Sequence, residues 1–372
     1  QPALDLRLDG RNVGGSAFDL SVDVRTRRTW RSTPDGAASS EGLSRVYRAN
    51  AGWLPFDRKL SLTVGRQLAP EHPALGIFDG ASLVLRTGTW SVGVLSGSQP
   101  DEVDFSYSDA IQEHGGFVQL RSGQGRSTSW SATVGAIASY AGGEINREYV
   151  SVQSAISSGP LSTYVSQDVD FNREWRLEAE GSSVSLTNTY VTTRLQATGQ
   201  TALSAGYDNR RNVRLYRDYV SPETEFDDAY RQGYWGGLDQ RFARIYRVSV
   251  RVKRSTGGSS ATADSYTLSA AAQWPVALRA RTTWFDNELV RGWVHSGAAS
   301  AQLGASLRVE VGGGIRDETN TTAGLPGQYV RWYNTLVDYA LGRSWYASVS
   351  FERSEDGPEA NDQIYSMLNY RF

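Results

Sequence analysis

Three histidines, His72, His114 and His295, are present and cysteine is absent, so imidazole chemistry could come only from these positions and thiolate chemistry from none. A nucleophile and its base must lie within hydrogen-bond reach of each other. His295 precedes Ser296 and His114 follows Glu113. Adjacent residues of an extended segment point to opposite faces, so neither couple can pass a proton directly. Oxygen donors cluster at Asp101, Glu102 and Asp104, and again at Glu223, Glu225, Asp227 and Asp228. Calcium takes such ligands, but the spacing of a calcium loop is missing and a solvated acidic loop is the stronger reading. No phosphate loop, zinc motif or dinucleotide fingerprint occurs. The expectation is that the chain is not an enzyme and carries no metal and no cofactor.

What remains is a large set of charges in regular alternation with apolar residues. The basic members are Arg25, Arg27, Arg48, Arg247, Arg251, Lys253, Arg279, Arg281, Arg308 and Arg316, and the acidic ones are Asp19, Asp23, Asp208, Glu310 and Glu352. Phe18, Leu20, Val22 and Val24 fall on one side of an extended segment, with Asp19, Ser21, Asp23 and Arg25 on the other. Val248, Val250 and Val252 alternate with Arg247, Ser249, Arg251 and Lys253. The same period of two recurs at Leu307–Arg316 and Trp345–Glu352. Such a period defines β-strands with one apolar and one polar face.

These strands have to be organised by something. The chain has 372 residues, of which 39% are hydrophobic and 21% charged, with a formal net charge of −2 that gives no nucleic-acid footprint. No apolar run reaches the ~18 residues of a transmembrane helix. A soluble antiparallel sheet would also alternate, but aromatic placement points elsewhere. Trp130 and Tyr140 bracket Ala132, Val134, Ala136 and Ala138 on one face, and Tyr266 and Trp274 bracket Leu268, Ala270 and Ala272. Trp284 and Trp345 fall at further strand ends. Ten residues tilted in a sheet span roughly 25 Å, the apolar height of an outer-membrane barrel with aromatics at each rim. Short connections such as Gly123–Arg126 and Trp274–Pro275 alternate with long polar ones: Arg31–Gly42, Gln67–Gly80, Gly97–Glu113, Val213–Arg231, Asp317–Gly327 and Ser354–Asn361. The expected fold is all-β: a closed antiparallel transmembrane β-barrel of about 20 strands (range 16–22), with short periplasmic turns and longer extracellular loops. Residues 1–372 form a single such domain. Residues 1–10 read as an extra strand that caps the barrel or continues an upstream region.

The final strand resembles those of bacterial outer-membrane β-barrel proteins, which typically end in alternating apolar residues and a terminal Phe recognised by the barrel-assembly machinery. Leu368, Tyr370 and Phe372 follow that pattern, and Met367 stands where a glycine is often found. Gly65-Arg66-Gln67, then Gly76-Ile77-Phe78-Asp79-Gly80, then the glycine-rich Val92–Gly97 are similar to porin-type barrels, with no particular porin family assigned. The resemblance implies a bacterial outer-membrane location, contact with a bilayer whose outer leaflet is of the lipopolysaccharide type, and the barrel-assembly machinery as a partner during biogenesis.

Two functions fit a barrel with this polar face. One is a porin-like channel for passive diffusion of small polar or charged solutes. Asp19, Asp23, Arg25, Arg27, Arg48, Arg247, Arg251, Lys253, Arg279, Arg281, Arg308, Glu310 and Glu352 would line it and set its selectivity. The other is a structural barrel anchoring an outer-membrane or cell-surface assembly, its lumen filled by loops or an envelope protein partner, with the charges forming cross-strand ladders.

Overall fold

The computed structural model describes residues 3–32, 38–55, 59–69, 76–123, 127–220, 230–257, 262–322, 325–342, 344–357 and 359–370. Among them are 21 strands and two short α-helices. The chain divides into two compact units, one of Gln1–Gly159, Thr163–Tyr190 and Asn212–Asp228, the other of Pro160–Ser162, Val191–Arg211 and Ala229–Phe372.

The first unit begins with β1 (Ala3–Gly10), β2 (Phe18–Ser32), β3 (Ala38–Trp53), β4 (Leu60–Leu68) and β5 (Ile77–Thr87). It continues through β6 (Trp90–Ser98), β7 (Ile111–Ser122), β8 (Thr128–Ala141) and β9 (Glu144–Ser158) into most of β10 (Leu161–Phe171) and the start of β11 (Val184–Gln196). Each strand from β1 to β9 pairs antiparallel with the next. β1 is a full partner of β2, in register from Ala3↔Arg27 to Gly10↔Leu20. Helices α1 (Trp175–Glu180) and α2 (Tyr216–Val220) also belong here. Gly142 and Gly143, at φ 61° and 93°, join β8 to β9. Positive φ at two central residues is the tight-hairpin geometry that L side chains resist.

The second unit holds the rest of β11, then β12 (Thr201–Arg210), β13 (Arg231–Phe242), β14 (Tyr246–Thr256), β15 (Ala263–Gln273) and β16 (Val276–Asp286). β17 (Val290–Leu303), β18 (Leu307–Asn320), β19 (Gln328–Leu341), β20 (Trp345–Asp356) and β21 (Glu359–Tyr370) follow. β12 to β21 pair antiparallel in sequence order.

Burial in both units is inverted relative to a protein folded in water. Among the described residues ten apolar side chains are buried against nineteen polar or charged ones. In the first unit Val64, Val94, Val118 and Val134 are about half exposed, while Ser91, Thr133, Ser151 and Asp170 on the opposite face are buried. In the second, Val250, Leu268, Leu278, Val311 and Val349 lie exposed on alternate positions. Full burial of such a side chain contributes roughly 1.5–3 kcal/mol. A continuous wall of them in contact with water would be heavily unfavourable, so these faces require an apolar surrounding. Many strands run 11–16 residues, enough to cross a bilayer when tilted.

The loop pattern is corrected at three places. Arg31–Gly42 is shorter than expected, because β2 and β3 stay paired out to Ser32↔Ala38. Ser354–Asn361 is not a long connection: β20 and β21 stay paired up to Asp356↔Glu359. Similarly, β18 continues to Asn320, beyond the point where Asp317 was expected to start a loop. Where both faces turn polar the period-two signal disappears, yet backbone pairing does not depend on it.

Candidate functional site

Among the described residues of the first unit two β-bulges interrupt the strand ladders, and chain from elsewhere in that unit docks at each. A bulge leaves its extra residue unpaired and disrupts the ladder locally. In β3 the extra residue is Tyr47, between Asp23↔Arg48 and Val24↔Val46. In β9 it is Asn146, between Ser139↔Arg147 and Tyr140↔Ile145.

The connection from Gln99 to Ala110, between β6 and β7, docks at the first bulge. Phe105, at φ 59°, sets its ring 5.2 Å from that of Tyr47, whose face also carries the Arg25 guanidinium at 4.8 Å. Arg45 donates to the Val103 carbonyl at 2.9 Å. Arg66 does more. It is only 6% exposed, forks onto Asp79, and donates to the carbonyls of Val46, Phe105 and Ser106. Burying a guanidinium is tolerable only with such pairing.

Gly65 makes this possible. At φ 113° it breaks the alternation, so that the consecutive residues Arg66 and Gln67 are both buried. Gly65 faces Gly80, and Gly80 faces Gly97, in a row across β4, β5 and β6. A Cβ at Gly80 would stand 2.2 Å from the Ser96 carbonyl oxygen, so these backbones approach too closely for any side chain.

The acidic cluster of this connection has structural work. Asp101 Oδ1 accepts from the backbone N–H of Val103 and Asp104, and Glu102 pairs with Arg217 at 2.7 Å. Asp104 accepts from the Ser106 N–H at 2.8 Å, which holds its carboxyl below the usual value of 3.8. No group of three or more metal-type side chains occurs among the described residues. The second acidic cluster, Glu223, Glu225, Asp227 and Asp228, and His72 lie outside the described residues.

At the second bulge α1 and the segment leading into α2 meet. Trp175 Nε1 donates to the Ile145 carbonyl at 2.7 Å and Arg176 to that of Asn146 at 3.1 Å. The Asn146 side-chain oxygen accepts the Tyr216 N–H, and Trp175 stacks on Tyr219 at 4.8 Å. Beneath them Asp170, fully buried, accepts from Arg147 at 2.8 and 2.9 Å, Arg176 at 3.1 Å and Thr187 at 2.6 Å. Arg176 also donates to the Arg214 carbonyl, tying α1 to the α2 segment. Through Arg217 and Glu102 that segment reaches the first docked connection as well. A small apolar cluster of Phe78, Leu95, Ile137 and Tyr149 lies buried in the same unit.

The expected lining residues sort onto one face in each unit. In the first, Asp23 and Arg25 pair at 3.4 Å, Arg48 meets Asp9 at 3.6 Å, and Asp19 accepts the Asn12 N–H. Arg27 is on the same strand face. In the second, Arg247, Arg251 and Lys253 on β14 share a face with Arg279 and Arg281 on β16. Arg308 and Glu310 on β18 and Glu352 on β20 complete it. Asp239 takes Arg247 and Arg194, and Glu310 takes Arg279 and Arg308.

The aromatics expected at the membrane interfaces belong to the apolar face or, for Trp274, to the turn after β15. Trp130 and Trp274 are exposed, Tyr266 lies 5.3 Å from Trp284, Trp345 lies 4.7 Å from Tyr370, and Tyr140 donates to Glu148. Leu368 is exposed beside Tyr370, and Phe372 lies outside the described residues. His114 and His295 bond the hydroxyls of Ser96 and Thr282, both at 2.9 Å, and Ser296 occupies the face opposite His295.

The docking residues Arg66, Asp79, Asn146, Arg147, Asp170, Trp175 and Arg176 were not singled out from the sequence as functional. Their trace was there in Gly65-Arg66-Gln67, where a charged residue follows glycine out of alternation, and in Asn172-Arg173-Glu174-Trp175-Arg176, too rich in aromatic and charge for an idle turn.

No protein-family model matches the chain, and no curated protein matches it. Solved structures do. The P pilus usher (PapC) translocation pore is similar at a TM-score of 0.50 and 12% identity, over 99% of this chain and 94% of that one. OpdQ of Pseudomonas aeruginosa is similar at 0.46 and 8% identity, over 95% and 96%. The anion-selective porin of Comamonas acidovorans is similar at 0.41 and 11% identity, over 76% and 93%. These neighbours are outer-membrane β-barrel proteins, and at such identities the usher likeness is one of fold alone.

Proposed function

We propose that the chain is an outer-membrane channel whose strands close into a barrel around a polar lumen, narrowed by the connections docked at the two bulges. The inversion of burial carries this reading: apolar residues face outward into lipid and charged ones face the interior, where only water or a partner ion makes them affordable. The solutes are small and polar or charged. Trp130, Tyr140, Tyr266, Trp274, Trp284 and Trp345 sit at the membrane interfaces.

The packed Phe78–Tyr149 cluster and the buried clamps favour a second reading, in which the lumen is filled and the barrel anchors a cell-surface assembly. Planar-bilayer recording separates the two. The channel reading expects conductance from the purified protein, increased when Glu102 and Arg217 are both replaced by Ala and the two docked connections lose their tie. A folded barrel that conducts in neither form favours the anchoring role. Recovery without detergent, with identical gel migration boiled and unboiled, overturns the membrane reading itself.

A further inference from the structure

The polar face of the second unit holds a concavity of about 500 Å³ on β14 to β19, walled by Arg247, Arg279 and Arg281. Its size is in the range of small-ligand sites. Between the arginines the strands carry only short side chains. Ser249, Ser269, Arg281 and Ser296 follow one another across four strands, and Ala271 and Ala298 flank Arg279 on either side. Long guanidinium stems thus stand over a low floor of hydroxyls and methyls.

Charge on this patch is unbalanced. Asp239 is shared by two arginines and so is Glu310. Arg281 has no ion pair or hydrogen bond among the described residues, and the three serine hydroxyls bond no other side chain among them. Further carboxylates on this face are Glu318 on β18, which is paired with Arg316, and Asp338 and Glu352 on β19 and β20. At one edge the Trp332 ring lies over Gly314, where any Cβ would strike it, and forms a flat apolar wall.

We propose that this concavity is a binding subsite for the phosphate group of a small solute, with Arg281 as its principal ligand, Arg247 and Arg279 as flanking charges, and the serine hydroxyls as further donors. A guanidinium fork matches two oxygens of a phosphate at once, which an ammonium cannot do. Its shared counter-ions leave Arg247 and Arg279 with unused donors directed at the same space. The inference rests on the reading of this face as a lumen wall, since a solute must reach it from water.

The test is equilibrium dialysis of the full-length protein, folded in detergent, against inorganic phosphate and against a hexose phosphate. Saturable binding of one phosphate is expected. Arg281→Gln should weaken it about tenfold and Arg281→Lys, which keeps the charge but not the fork, by a smaller factor. Arg254→Gln lies on the opposite face of β14 and should leave binding unchanged. Trp332→Ala should weaken the hexose phosphate and not inorganic phosphate if the solute is a sugar ester, and neither if the ligand is free phosphate. Absence of saturable binding, or an equal loss in Arg254→Gln and Arg281→Gln, overturns the subsite. Dialysis needs no conductance. A barrel that binds but does not conduct refutes only the channel, and one that conducts but does not bind refutes only the subsite.

Discussion

Replacing Asp170 by Asn isolates the electrostatics of the second docking point. The carboxylate is fully buried and accepts four hydrogen bonds, three of them from the guanidinium groups of Arg147 and Arg176. Asn retains one acceptor oxygen, and its amide N–H group points donors at donors. Two charge-assisted bonds at about 1.5–3 kcal/mol each are lost, in line with the roughly 3–5 kcal/mol for removing one partner of a buried ion pair. Arg147 is 21% exposed and can be rehydrated, which places the expected cost near the lower end, about 3 kcal/mol. α1 is held by this cluster and by Trp175, so the cost falls first on local opening of residues 172–183. At about 1.4 kcal/mol per factor of ten, amide exchange there should accelerate by roughly two orders of magnitude while exchange in β12–β21 is unchanged. A triple variant with Asp170→Leu, Arg147→Met and Arg176→Met should restore most of the protection, because no charge is left buried and unpaired. Wild-type exchange in Asp170→Asn, or a triple variant worse than the single one, would refute the assignment of this cluster as the clamp.

Gly80→Ala places a methyl 2.2 Å from the Ser96 oxygen and 2.6 Å from the Gly97 Cα; folding yield, measured by the boiled-versus-unboiled gel shift, should collapse, whereas Gly199→Ala, with open space around it, should fold normally. Glu102→Gln breaks a pair that is more than half exposed on both sides, so stability should fall by no more than about 1 kcal/mol while channel conductance changes; a large drop in unfolding midpoint would contradict the exposed geometry. Asp104 has a depressed folded-state value, so its contribution is present above 3.8 and lost as pH falls through the lower folded value. Protease cleavage within residues 99–110 should therefore stay slow at pH 5 and accelerate only below 3.8, and cleavage already rapid at pH 5 would show that this carboxylate does not hold the turn.

How much of this was open to reading depends on which force shaped each feature. Alternation exposes the strands because a membrane on one side and water on the other impose opposite demands on successive residues. β2, β14, β18 and β20 accordingly run through the alternating segments Phe18–Arg25, Arg247–Lys253, Leu307–Arg316 and Trp345–Glu352. The sharing of one face by Arg247, Arg279 and Arg281 follows from the same rule. Register does not, because nothing local indicates that Arg279 will share Glu310 with Arg308 across β16 to β18. The docking points were least visible. Asp170 looks like any lumen-side acid until the chain brings Arg147 and Arg176 to it, and Tyr47 and Asn146 acquire their roles only because each is the one residue too many in its strand.

The bulges explain why chain docks at those two places rather than at others on the polar face. A regular ladder uses every backbone N–H and C=O between its strands, and a segment laid across it finds only side chains to bond. Beside the extra residue in β3, and at the one in β9, the carbonyls of Val46, Ile145 and Asn146 accept from Arg66, Trp175 and Arg176. In the wall of a membrane protein an unpaired carbonyl costs several kcal/mol unless it is satisfied. Docked chain and open carbonyl are therefore complementary: the strands offer acceptors that hold the connection down, and the connection's long donors satisfy them. Deleting Tyr47 or Asn146 to regularise the ladder should shift these acceptors and release the docked segment while leaving the strands paired, seen as faster amide exchange in residues 99–110 or 172–183 with exchange in β12–β21 unchanged; unchanged exchange in the docked segment would show that the bulge plays no part in holding it.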